Sequence, residues 1–191
     1  MRGEPGESLF PEGWSPDGRT LVYRSLTSRG GGDLMVLEAS EGAVPTPYLR
    51  DGFSNRGATF SPDGRWLAYT SNDSGTSQVF VRSFPDPTQA KYQVSADGGA
   101  YPRWRGDGGE LYFVSARNRV TATGVTHGSG LSFGKPVNLF DLALGDVSVV
   151  AGAGSPFDVS ADGQRFIIVA VRTGGAVSLT VAVNWMAELK K

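Results

Sequence analysis

The sequence predicts an all-β protein, and three observations carry that prediction. Glycine (27) and proline (11) make up about a fifth of the 191 residues, which leaves little room for long helices. The apolar runs are short; the longest, Phe166 to Val171, suits a strand and is far too short to span a bilayer. One ten-residue pattern recurs four times: WSPDGRTLVY from Trp14, FSPDGRWLAY from Phe60, WRGDGGELYF from Trp104 and VSADGQRFII from Val159. Its aspartates are 46, 44 and 55 residues apart, the interval expected of a four-stranded propeller blade. The expectation is a β-propeller segment occupying 1–191, with blade units near 9–50, 55–96, 100–141 and 154–191. That is three full blades plus three strands, read as part of a larger propeller.

Each unit can be justified element by element. An aromatic or apolar residue closes the first strand, and Ser-Pro-Asp-Gly then reverses the chain. Proline presets φ, aspartate accepts from nearby amides, and glycine supplies the positive φ. Second strands are expected at Leu21–Tyr23, Trp66–Tyr69, Leu111–Val114 and Phe166–Val169; their unbroken apolar character suits strands covered on both faces. Third strands follow at 34–37, 79–84, 120–125 and 178–185, and fourth strands near 47–49, 92–95 and 137–140. Trp14, Trp66 and Trp104, beside or just after the turns, are expected to pack between blades. The last strand, from Val177 to Trp185, is left with an open edge through which the chain could self-associate.

Composition excludes several function classes. Eighteen basic against nineteen acidic residues give a net charge of −1, without the basic footprint of nucleic-acid binding. Without cysteine there is no disulfide, thiolate nucleophile or Cys-ligated zinc. The opening residues MRGEPGES lack an apolar stretch, so no secretory signal is expected within this chain, and no direct membrane insertion. The single histidine, His127, lies in a glycine-rich stretch and lacks the companions of a catalytic triad or a histidine metal site. The glycine clusters at 30–32 and 152–154 are followed by neither a helix nor the lysine of a phosphate cradle. No catalytic residue, metal or cofactor is expected.

Asp17, Asp63, Asp107 and Asp162, with Gly18, Gly64, Gly108 and Gly163, are read as holding their own turns, because turns in successive blades lie too far apart to share an ion. The binding candidates come from propeller geometry instead. Loops between blades (51–57, 96–102, 141–155) and between second and third strands (25–33, 71–77, 115–119, 172–177) crowd one face. Asn55, Arg56, Tyr101, Arg103, Arg117 and Arg119 lie in or beside them, and arginine and tyrosine are enriched at interaction hot spots.

The repeated SPDG-R-x-L-A-Y pattern resembles the TolB-type propeller repeat. GGAYPRWRGDGGELYFVS (98–115), then FGKPVNLF (133–140), FDVSADGQRFII (157–168) and the final TVAVNWMAELKK, in that order, are similar to the C-terminal propeller of bacterial receptor-like serine/threonine kinases. That resemblance implies a non-catalytic sensor or interaction module on the extracytoplasmic side, with any kinase activity in a domain absent from this chain. It departs from the repeat where Arg105-Gly106 and Ser160-Ala161 replace Ser-Pro. Two further readings stay open: a TolB-type periplasmic partner-binding protein, and the gating propeller of a prolyl-oligopeptidase-type hydrolase. The expected partner is a protein, peptide or small ligand on the loop face.

Overall fold

The computed structural model describes residues 6–27, 31–142, 154–171 and 177–183. They form strands and turns with no helix among them, the all-β propeller architecture expected. The chain divides into two compact units, residues 1–102 and 103–191.

The first unit contains two antiparallel four-stranded meanders: β1 (Ser8–Trp14), β2 (Thr20–Leu26), β3 (Asp33–Glu38) and β4 (Thr46–Leu49), then β5 (Arg56–Phe60), β6 (Trp66–Ser71), β7 (Gln78–Ser83) and β8 (Lys91–Gln93). Every residue of β6 is buried, which explains why WLAYTS shows no alternation. Val22, Leu34, Tyr48 and Leu49 of the first sheet pack against Ala58, Phe60, Leu67, Tyr69 and Phe80 of the second. The Tyr48 ring packs at a tilt against Phe84 (5.7 Å), and its buried hydroxyl donates to the Ser83 carbonyl at 2.8 Å.

Strand β9 (Gly99–Trp104) leads into the second unit, which holds β10 (Glu110–Ser115), β11 (Arg119–His127), β12 (Leu131–Phe133) and β13 (Val137–Asp141). Strand β11 is longer than expected and serves two partners. Its first half pairs with β13 and its last three residues with β12, a strand absent from the sequence expectation. The final sheet is β14 (Phe157–Val159), β15 (Arg165–Val171) and β16 (Val177–Val183). The expected edge strand is described from Val177 to Val183, while Trp185 lies outside the described residues, as do parts of the loops at 25–33, 141–155 and 172–177.

The turns share one internal lattice. Ser15 Oγ donates to Asp17 Oδ1 at 2.6 Å and accepts the Thr20 amide, while Asp17 also accepts the Arg19 amide. Ser61 with Asp63 (2.5 Å) and Ser160 with Asp162 (2.5 Å) repeat the arrangement. In the third turn Arg105 stands where the others have serine. Its guanidinium clasps Asp107 with two hydrogen bonds of 2.7 Å and reaches Glu110 at 3.0 Å. The clasp holds the Asp107 carboxyl down to about 2. Trp66 and Trp104 are buried, but Trp14 is 55% exposed: it sits at the end of the edge strand β1, so the expectation that all three pack between blades is corrected for Trp14.

Candidate functional site

At one end of the first unit, segments 51–57, 71–77 and 96–102 are knitted together. The Ser54 amide donates to Asn72 Oδ1 (2.8 Å), and the Gly99 amide to the Ser77 carbonyl (2.9 Å). Buried Gln78 clamps the third segment: its Oε1 accepts from Ser95 Oγ and the Gly98 amide, and its Nε2 donates to the Ala96 carbonyl. These contacts make the loop end a fixed surface.

Three of the six candidate residues belong to these segments. Asn55 is fully buried; its Nδ2 donates to Asp51 Oδ1 at 2.9 Å and its amide to the Gly32 carbonyl at 3.2 Å. Its Oδ1 has no hydrogen-bond partner among the described residues. Turning the amide over would set oxygen against the Asp51 carboxylate, so the vacant group is an acceptor. Arg56 is half-buried; one terminal nitrogen reaches Ser77 Oγ at 3.4 Å, and its Nε is buried without a partner among the described residues.

Tyr101 is the third. It has φ +59°. Gly57, which like Tyr101 stands six residues before its turn aspartate, has φ +65°. The two positions are adjacent, since a Cβ built on Gly57 would lie 3.8 Å from Tyr101 Cα. The β5–β6 register slips between Arg56 and Thr59, the signature of a bulge. Left-handed backbone suits glycine and costs a tyrosine roughly 1–2 kcal/mol. Tyr101 is pinned there by Thr70, whose buried Oγ1 accepts its amide at 3.0 Å. The ring is half-buried, and its hydroxyl makes no hydrogen bond among the described residues.

The other three candidates belong to the second unit. Arg103 forms an ion pair with Asp158 at 3.5 Å, and Arg119 donates from Nε to Asp141 at 2.6 Å. Arg117 is exposed in the turn before β11, next to Asn118 at φ +55°. His127, at the end of β11, has Nε2 3.2 Å from the Gly108 carbonyl. Among the described residues no three His, Asp or Glu side chains are grouped to hold a metal.

Sequence reasoning missed Thr70 and Gln78, ordinary strand residues in pattern, and Ser77 at the end of the 71–77 loop. One signal was available: the repeat places tyrosine where the preceding unit has glycine.

No family model matches the chain. An uncharacterised protein of Agrobacterium fabrum is 29% identical over 103 residues, covering 54% of this chain and 34% of that protein. The structure of TolB from Acinetobacter baumannii superposes on 94% of this chain with TM-score 0.67 and 16% identity, using 41% of its own length. The fold is a β-propeller similar to that of TolB-type proteins. A candidate TolB from Agrobacterium tumefaciens matches 71% of this chain at TM-score 0.57 and 25% identity, over 50% of its own chain. The chain thus spans about a third of the curated relative it matches and half or less of these two solved structures.

Proposed function

We propose that the chain is a non-catalytic propeller module whose loop end binds a protein, peptide or small ligand. The observation that supports this reading most strongly is the hydrogen-bonded loop end whose segments carry Asn55, Arg56 and Tyr101. Two buried polar groups there have no partner among the described residues, beside an aromatic residue held in a strained backbone conformation. Unmet buried polar groups and local strain both accompany binding sites. Arg103, Arg117 and Arg119 are proposed separately, as binding residues of the second unit's own loops. The likeness to TolB structures supports a macromolecular partner.

For the whole protein, the ordered motifs between Gly98 and Lys191 support the C-terminal propeller of a receptor-like serine/threonine kinase, on the extracytoplasmic side of a bacterial membrane. The 25% identity to the Agrobacterium tumefaciens structure favours a second reading, a TolB-type partner-binding protein. The upstream reading frame distinguishes them, encoding a kinase domain in one case and not in the other.

The binding reading is tested by selecting displayed random peptides on the immobilised full chain. Arg56→Ala and Arg103→Ala should weaken the selected peptides while leaving the melting temperature nearly unchanged. Equal affinity in both variants would remove these arginines from the site; loss of folding would make them structural.

A further inference from the structure

We infer that the chain associates with a second copy of itself, the outer face of the β1–β4 sheet in one copy seating on the outer face of the β14–β16 sheet in the other. The inference is independent of the loop-end reading. Its basis is a packing rule that the ten-residue repeat obeys inside each unit. In the first unit Phe60 and Leu67, at the repeat's first and eighth positions, pack in one cluster with Val22, the ninth position of the preceding repeat. In the second unit Phe166, again an eighth position, sets its ring edge-on to Tyr112, again a ninth, at 5.3 Å. Each following sheet thus offers its first- and eighth-position face to the ninth-position face of the sheet before it.

Burial departs from this rule in the first repeat and in the last. Trp14, at the first position, is 55% exposed, against 8% for both Phe60 and Trp104. Leu21, at the eighth, is half-buried where Leu67, Leu111 and Phe166 are fully buried. Ile167, at the ninth, is 38% exposed, where Val22, Ala68 and Tyr112 are fully buried. The turns agree. A Cβ built on Gly64 would lie 3.5 Å from Pro16 in the preceding turn, and one on Gly163 2.5 Å from the Tyr112 hydroxyl oxygen; one on Gly18 would meet nothing within 4 Å.

Single exposed apolar residues are ordinary on a surface. These fall on the two complementary positions of one interface that the chain already builds internally, so a second copy brings to each face the half that its repeat pattern calls for. The chemistry of the faces matches as well. Beside Ile167 the last sheet carries an open groove of about 270 Å³, whose lining includes Asp158 and Arg165. Tryptophan suits such a place: its ring is apolar, and its N–H finds an acceptor in the exposed Asp158 carboxylate. The contact joins unlike surfaces, so two copies close by making it twice.

The test is sedimentation equilibrium and light scattering on the full 191-residue chain from about 1 to 300 μM. The mass should rise from that of one chain toward that of two, with Kd of about 100 μM or tighter. Trp14→Ser and Ile167→Lys should each raise that Kd at least about tenfold with little change in Tm, since both side chains are exposed. Trp14→Phe, which installs the aromatic residue of the second repeat, should keep the association. So should Val137→Ser, an exposed apolar change on β13. Mixing the Trp14→Ser and Ile167→Lys variants should restore a complex, because each supplies the half that the other has lost. Ile167→Ser replaces the lysine variant if that fails to fold.

A chain that stays monomeric over this range overturns the inference. So does association that survives both substitutions, as pairing along the edge strand β16 would. A mixture that fails to reassociate also overturns it, being the mark of like surfaces pairing with like.

Discussion

Replacing Gly106 by alanine tests how closely the third and fourth turns are pressed together within the second unit. Its backbone is not in the left-handed region, so alanine meets no conformational penalty. The obstacle is space. A Cβ on Gly106 would lie 2.7 Å from the Ala161 carbonyl oxygen, 2.8 Å from its Cβ and 3.0 Å from its Cα. All three are main-chain or methyl atoms with no rotamer to escape into, so one turn must recede. The same movement stretches the hydrogen bond from the Gly106 amide to the Ala161 carbonyl, 2.8 Å in the native chain.

Overpacking of this kind costs about 1–3 kcal/mol, and a weakened hydrogen bond adds about 0.5–1.5 kcal/mol. Reduced freedom of the unfolded chain returns about 0.4–1 kcal/mol. The net loss is about 0.5–4 kcal/mol, which for a chain of this size lowers Tm by roughly 1–16 °C. Calorimetry on Gly106→Ala beside Gly124→Ala, where a Cβ meets nothing within 4 Å, isolates the clash. Equal Tm in the two variants would refute the contact.

Other outcomes follow from the same physics. Tyr48→Phe should cost about 1–2 kcal/mol by removing the buried bond to the Ser83 carbonyl while leaving the ring against Phe84, read as a lowered denaturant midpoint; an unchanged midpoint contradicts it. Gly57→Ala, whose Cβ would touch nothing closer than 3.7 Å, should lose about 1 kcal/mol from the left-handed backbone alone. Were it neutral, the strain argument for Tyr101 would fall with it. On the acid side, Asp107 is held at about 2 by Arg105, and Asp17 and Asp162 are lowered by Ser15 and Ser160. Their contribution is present above the unfolded carboxylate value near 4 and lost as pH falls through the lower folded values. Tm should therefore drop less between about pH 5 and pH 2 in Asp107→Asn than in the native chain, and an identical drop would show the clasp to be inert. At the alkaline end, burial pushes Tyr69 up to about 12, so its contribution is present below about pH 10 and is lost as pH rises through 12; Tyr69→Phe should flatten that loss in a pH-dependent melting series.

The turns and strands were legible in the sequence because the forces that make them are local. Ser15 reaches Asp17 two residues away and Thr20 five away, and the same spacing recurs at Ser61 and Ser160. The unbroken apolar run at Trp66–Tyr69 announced a strand buried on both faces, and β6 continues it to Ser71. The binding candidates were legible only as residue types in the right loops.

What the amino-acid order determined by itself is the repeat: where the chain turns, which runs become strands, and the propeller class that follows. The tertiary structure alone decided that β11 divides between two partners, that Trp14 stays exposed, and that Asn55 is buried with no partner for its oxygen among the described residues. It also decided the conformation of Tyr101, whose amide is held by Thr70 from 31 residues away. Local pattern selects a turn because its partners are always within reach. It cannot select a partner that only chain reversal and sheet packing bring near, and those distant pairings shape the site.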